Sequence, residues 1–531
     1  MLVGSISSLG SHYALGLHAL NCLTGESMSR QETEAESREK ILQSLDRIST
    51  KTREELGESL SSIQQYDVPM DQVTTPSLEA LRVYRLGLKT EFSQGSAAAI
   101  PFYKQAIELD QDFALAYLSL GVQYSNFGQA ALVTTYLKRA VELSNRTSTR
   151  EKLMVSAMYY LLATRQQDRA IETFQLWEKT YPRDRYAPLN LAGAYSRAGQ
   201  YEQSAAASRR AIEIDPNVYA SYANLAGCLI DLDRLGEAKK IIDEAFSRKL
   251  DSASVRQQLY FWAFLKGDDP EMQRQLTWAA SRPGEEEAWF LSMQADTEWF
   301  GGHQGKAREY LRRAVDAEMR AGSREGASDI QAWAALREAE FGNLARGRKE
   351  AALALALSPG RDGRIVAAMA LAQAGDSSRA NALADDLQKT YPLDTLLQFY
   401  SLPAIRAAAE LSRGNAANAE TFIERTTPYE LAWPTDLGSL YVVNLRGLIH
   451  LMLYRGNDAA ADFQNILNHP GLNDNSPMGA LAHLQIGRAY AMSGDPAKAR
   501  TAYQDFLTLW KDADPDIPIL KQAKAEYAKL R

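Results

Sequence analysis

The six histidines, His12, His18, His303, His450, His469 and His483, are the first residues to examine for metal or acid–base chemistry. A zinc-binding helix needs two of them four apart with a glutamate after the first, so that both rings leave one face. No such pair occurs, and the scatter fits solvated or core side chains. Cys22 and Cys228 are too few for a disulfide framework or a cysteine zinc site. Phosphate chemistry needs a glycine-rich backbone turn, and neither the P-loop pattern nor G-x-G-x-x-G is present. The His-Arg-Asp and Asp-Phe-Gly phrases of phosphoryl transfer are absent as well. Ser37-Arg38-Glu39-Lys40 fits the S-x-x-K acyl-serine pattern without its partner motifs, and reads as the solvated start of a helix. Acid pairs such as Asp385-Asp386 fall on helix surfaces. The expectation is therefore no catalytic residue, no metal and no cofactor.

What remains is recognition chemistry. Asn190 and Asn224 stand 34 residues apart, and a side-chain amide meets a peptide backbone as both donor and acceptor. Trp262, Trp278, Trp289, Trp299 and Trp333 fall in one central segment. Trp289 and Trp299, ten residues apart, are expected near one face of one helix, and aromatic side chains are common interface anchors. The competing readings are amides that bond only neighbouring helices, and indoles that fill gaps where a repeat weakens. Asn190, Asn224, Trp289 and Trp299 are the candidates for a groove that holds a protein or peptide.

The elements that must position these residues follow from length and periodicity. A chain of 531 residues is too long for one core, so it forms several domains or one extended array. The formal charge of −7, with no long basic run, argues against nucleic acid as a partner. No apolar stretch reaches the roughly 18 residues of a membrane span, so no membrane insertion is expected. Met1–Leu9 has no basic start, which predicts a cytoplasmic chain as encoded.

Alanines at the heart of one phrase recur at Ala106, Ala140, Ala211, Ala245 and Ala314, with Trp177 in the place between Ala140 and Ala211. Small residues at Gly87, Gly121, Ala192 and Ala226 mark first helices, where paired helices approach closely. Second helices carry Ala99, Ala170, Ala238 and Ala307, with Tyr103, Leu137, Phe174 and Leu311 four residues later. The period is about 34 residues. Beyond residue 250, turn glycines persist as Gly302/Ala307, Gly375/Ala380, Gly414/Ala419, Gly456/Ala461 and Gly494/Ala499, with drifting spacing. Over residues 78–250 this pattern closely resembles the tetratricopeptide repeat (TPR) family. That resemblance implies an all-α, right-handed superhelical solenoid whose first helices line a concave groove. The chaperone-tail clamp of some members is not implied, because its places hold Leu118, Val122 and Ser156.

Residues 1–65 read differently. Ser5–Ser8 and His12–Leu15 flank a turn at Gly10, a polar strand follows near Met28–Glu34, and Ile41, Leu45, Ile48, Thr52 and Leu56 recur at helical spacing. The expectation is a small, incomplete α/β segment of hairpin, strand and helix, the tail of a larger domain. Its unpaired edge invites self-association through the N-terminal strands. A linker is placed at 66–77, regular repeats at 78–250, degenerate repeats ending in one regular unit at 251–513, and a capping helix at 514–531. Gly4–Gly10, Leu20–Gly25, Thr74–Ala80 and Trp510–Pro518 together resemble the post-membrane part of acidobacterial receptor-like serine/threonine kinases. That resemblance implies a signalling role, and an extracytoplasmic site if the chain belongs to a membrane-anchored kinase. The leading reading is a non-catalytic protein- or peptide-binding scaffold or sensor array in bacterial signalling. The alternatives are the sensor part of a kinase whose catalytic domain lies elsewhere, and the ligand-binding arm of a transcription regulator.

Overall fold

The computed structural model describes residues 1–60, 63, 75–94, 96–126, 129–358 and 360–530. The linker expected at 66–77 falls outside the described residues except for its last three. The chain divides into two compact units, one holding Met1–Asn126 and Ala130–Ala163, the other Thr164–Arg531. The division thus falls within the stretch 78–250 that reads as regular repeats.

The first unit opens with an antiparallel sheet in the order β1 (Leu2–Leu9), β2 (His12–Leu20), β3 (Ser27–Ala35). Leu9 pairs with His12 across a turn at Gly10, whose left-handed backbone suits glycine. Helix α1 (Ile41–Glu55) covers one face, where Leu15, Ala35, Ile41 and Ile48 form a small core. Two helical hairpins follow, α2 (Leu78–Gln94) with α3 (Ser96–Leu109) and α4 (Ala114–Asn126) with α5 (Ala130–Leu143). Their small residues are obligatory: a Cβ on Gly87 would lie 2.8 Å from the Tyr103 ring, and one on Gly121 2.8 Å from Leu137. Ser148 and Glu151 form a reciprocal capping box at the start of α6 (Thr149–Met158), which runs into a π-helical turn, Tyr159–Ala163.

The second unit is a succession of helical hairpins. After α7 (Gln167–Thr180) come α8 (Tyr186–Arg197) with α9 (Tyr201–Ile214), α10 (Tyr219–Asp231) with α11 (Leu235–Ser247), and α12 (Ala253–Lys266) with α13 (Asp269–Ala280). Next are α14 (Glu285–Phe300) with α15 (Gln304–Ala321), α16 (Arg324–Glu340) with α17 (Leu344–Leu357), and α18 (Arg361–Gln373) with α19 (Ser377–Thr390). The last are α20 (Leu402–Ser412) with α21 (Ala416–Ile423), α22 (Tyr441–Met452) with α23 (Gly456–Leu467), the short α24 (Pro470–Asn473), α25 (Pro477–Met492) with α26 (Pro496–Leu509), and α27 (Pro518–Lys529). The fold is therefore the all-α repeat array expected, with a small sheet before it.

A left-handed residue precedes each second helix: Arg165, Gly199, Asp233, Gly267, Gly302, Gly342, Gly375, Gly414, Tyr454 and Gly494. Five residues on, the chain places a buried side chain against the first helix, among them Ala170, Ser204, Ala238, Ala307, Ala380 and Ala499. The pattern corrects one alignment. In the penultimate hairpin the turn lies at Tyr454 and the buried alanine is Ala459, whereas Gly456 begins the helix and Ala461 is exposed. A tyrosine adopts the left-handed turn there, so the glycine marker pointed two residues too far.

Candidate partner-binding surfaces

On α8 and α10 the two candidate amides occupy matching, half-exposed places. Asn190 Nδ2 donates to the Tyr186 carbonyl of its own helix at 2.8 Å. Asn224 Nδ2 reaches from α10 to the Leu189 carbonyl of α8 at 3.4 Å, a long bond. Trp289 on α14 is 37% exposed, next to Phe290. Trp299 is wholly buried, 4.5 Å from the Phe341 ring, and offers a ligand no surface. Ten helical positions turn the second indole about 80° from the first, which carries it from the exposed face into the core. Of the other indoles, Trp262 donates to the Leu235 carbonyl at 3.0 Å, and Trp278 lies under Arg256 and Arg282.

The second unit also clasps itself. Thr395 N donates to the Arg165 carbonyl at 3.1 Å, and Thr395 Oγ1 accepts from Gln167 N at 3.1 Å. Trp433 N donates to the Arg197 carbonyl, and Tyr201 Oη to the Leu431 carbonyl at 2.9 Å. Gly471 N donates to Asp233 at 2.8 Å, and Asn475 Nδ2 to Thr297 at 2.9 Å. Asp514 N donates to the Gly302 carbonyl, Trp510 Nε1 to the Phe300 carbonyl, and Ile519 N to the Phe341 carbonyl. Turns of the earlier hairpins thus sit on connections of the later ones, and α14 packs against α25.

Two charged clusters lie along these contacts. Arg361, at the start of α18, is 3% exposed and bonds Asp394 at 2.7 Å, Asp436 at 2.9 Å and its neighbour Asp362. Burial pushes the Asp436 carboxyl up in spite of Arg361, while Asp362, between Arg165 and Arg361, is held well below the usual range. At the second cluster Asp233 and Asp474 lie near enough to Asp231 to repel its charge, and among the described residues no arginine forms an ion pair with any of the three. Burial pushes Asp474 up to about 7, and burial with the neighbouring carboxylates raises Asp231 well above its ordinary value.

Where α16, α18, α20, α22 and α25 converge they line a half-open cavity of about 220 Å³. Its lining includes the polar residues Glu340, Gln373, Ser412, Asn444 and Gln485 and the apolar residues Leu411, Leu445, Leu448, Met478 and Leu481. Glu340 accepts from Arg337 at 3.0 Å and from Tyr441 Oη at 3.1 Å, and Gln373 donates to Tyr441 Oη at 2.7 Å. Arg337 also holds Asp296 through two N–H groups, at 2.9 and 3.1 Å. Sequence reasoning missed Glu340, Arg337 and Arg361. Nothing in their spacing sets them apart from surface charges on the same helices.

Tetratricopeptide repeat family models match residues 195–259 and 481–513. No curated protein sequence matches the chain. Among solved structures, the APC/C hetero-tetramer Cut9–Hcn1 is similar at 14% identity and a TM-score of 0.45, covering 92% of this chain and 81% of that one. Yeast Tom70 is similar at 11% identity and a TM-score of 0.33, over 85% of this chain and 95% of its own. PilW, a type IV pilus biogenesis factor, is similar at 17% identity and a TM-score of 0.31, over 40% and 99%. Among the described residues no helix is long and apolar enough to cross a membrane. Over residues 195–259 and 481–513 the chain is thus similar to tetratricopeptide repeats.

Proposed function

We propose that the chain is a non-catalytic scaffold that binds a protein or peptide along the first helices of its second unit. The observation that carries this reading is the pair Asn190 and Asn224, one amide per repeat on adjacent first helices, both half-exposed and each with one donor engaged. An amide has two donors and a carbonyl, so each retains capacity for a ligand backbone, and exposed Trp289 supplies an anchor further along. Peptides selected by display on the purified chain provide the test. Changing both asparagines to Ala should weaken such a peptide five- to hundred-fold, at about 0.5–1.5 kcal/mol per neutral hydrogen bond. Unchanged affinity with a lowered melting temperature would show the amides to be helix braces and end the groove reading.

The four segments that resemble receptor-like kinases support a finer reading, a sensor array in bacterial signalling. The DNA upstream of Met1 tests it: an in-phase frame with a glycine-rich loop and a catalytic aspartate supports the kinase context, and a winged-helix frame points instead to a regulator's ligand-binding arm. Self-association is the remaining element. Strand β1 exposes Leu2, Ile6 and Leu9 and has one neighbour, β2, and such an edge recruits other chains. Ile6→Lys should shift light-scattering mass toward the monomer, and an unchanged mass would count against it.

A further inference from the structure

The cavity among α16, α18, α20, α22 and α25 lies apart from the asparagines, and its chemistry differs from that of a peptide groove. Its lining holds one carboxylate, Glu340, beside several aliphatic side chains, and among the described residues no lysine, arginine or histidine lines it. The charge around Glu340 does not balance. Arg337 is shared, with two N–H groups on Asp296 and one on Glu340, so one positive group answers two negative ones. Each Glu340 oxygen accepts a single bond, from Arg337 or from Tyr441, and a carboxylate oxygen takes two. A buried, undercompensated carboxylate is costly unless it is protonated or meets a cation.

We propose that this cavity binds a small organic ammonium ion, with the ammonium group on Glu340 and its alkyl chain against Leu411, Leu448, Met478 and Leu481. The size fits, since an apolar cavity of about 150 Å³ is enough to take up benzene. A carboxylate ligand finds no cation here, and an alcohol leaves the surplus charge unanswered. The raised Glu340 carboxyl, shifted by burial against the opposing pull of Arg337 and Tyr441 and with the push of Asp296, agrees with a site short of positive charge.

The test is calorimetric titration of the full chain at pH 8 with hexylammonium chloride, hexan-1-ol and sodium hexanoate. Hexylammonium should bind at least tenfold tighter than hexanol, and hexanoate should give no binding heat. Glu340→Gln keeps the shape and an acceptor for Tyr441, and should bring hexylammonium down to the level of hexanol. Lowering the pH to 5 should weaken the ion as Glu340 takes up a proton. Leu448→Trp, which fills the chamber, should abolish binding while the helical circular dichroism holds. The proposal is overturned if hexanol or hexanoate binds as tightly as the ammonium. It also fails if either variant, helical by circular dichroism, retains full affinity, or if folded wild-type chain takes up no hexylammonium.

Discussion

In the stretch 165–267 the left-handed turns follow one another at Arg165, Gly199, Asp233 and Gly267, every 34 residues. In the stretch 375–494 they come at Gly375, Gly414, Tyr454 and Gly494, with 39, 40 and 40 residues between them. The hairpins themselves are alike, so the surplus lies in the connections from one hairpin to the next. Those connections carry the clasp: Asp394 and Thr395, then Leu431 to Ser439, then Gly471 to Asn475. The drifting period of the later repeats is therefore insertion with a physical task. The earlier hairpins hold together through neighbours one repeat away, while the later ones also reach back some 180 to 240 residues to close the unit on itself. What looks like a weakened repeat is a repeat that has gained long-range contacts.

The largest expected effect breaks the clasp at its charge centre. Arg361→Ala strands Asp394 and Asp436, both nearly fully buried, and should cost about 3–5 kcal/mol. Chemical denaturation is the measurement, and a loss no greater than that of an exposed arginine would remove Arg361 from the closure. Next comes Gly471→Ala, whose added Cβ would sit 1.8 Å from the Ile230 carbonyl oxygen. A cost of about 1–3 kcal/mol is expected for overpacking of this kind. Hydrogen exchange should quicken in both 228–235 and 468–476, and faster exchange in one segment alone would mean that they are not tied.

A smaller effect concerns pH. The Asp474 carboxyl, raised to about 7, stabilises the fold fully below the unfolded value of about 3.9. That stability is lost as pH rises through about 7, because the folded seam must then hold an ionised group beside Asp231 and Asp233. Asp474→Asn keeps the side chain's size and shape without its charge, and should flatten the fall in melting temperature between pH 4.5 and 7.5, raising it at pH 7.5 by about 2–4 °C. An equal slope in both proteins would place the sensitivity elsewhere. The smallest effect is the control in the regular stretch. Gly193→Ala on α8 puts a Cβ where nothing lies within 4 Å, and should be neutral or stabilise by about 0.5–1 kcal/mol. Destabilisation there would show that the regular hairpins carry contacts beyond their neighbours.

Much of the fold was legible because its determinants are local. Gly87 and Gly121 announce close helix pairs, and Pro182 and Pro216 follow ends of second helices. Tyr454 shows the limit, since a non-glycine left-handed turn leaves no mark in the sequence. Of the candidate site, the matching places of Asn190 and Asn224 could be read from their spacing, but the carbonyls their donors engage could not. Trp299 was misplaced because position along a helix was read without its rotation.

By itself the sequence determined the helical hairpins, their period, the sheet before them and the final helix, because turn backbone, small-residue contacts and amphipathic spacing all act within one repeat. Only the tertiary structure decided that the second unit closes on itself, that Arg361 joins two connections, and that five helices line a half-open cavity with a carboxylate in its wall. Those contacts join residues some 30 to 240 positions apart, through side chains and backbone groups that recur with no period. Burial gives them their energetic weight, and burial exists only once the array has folded.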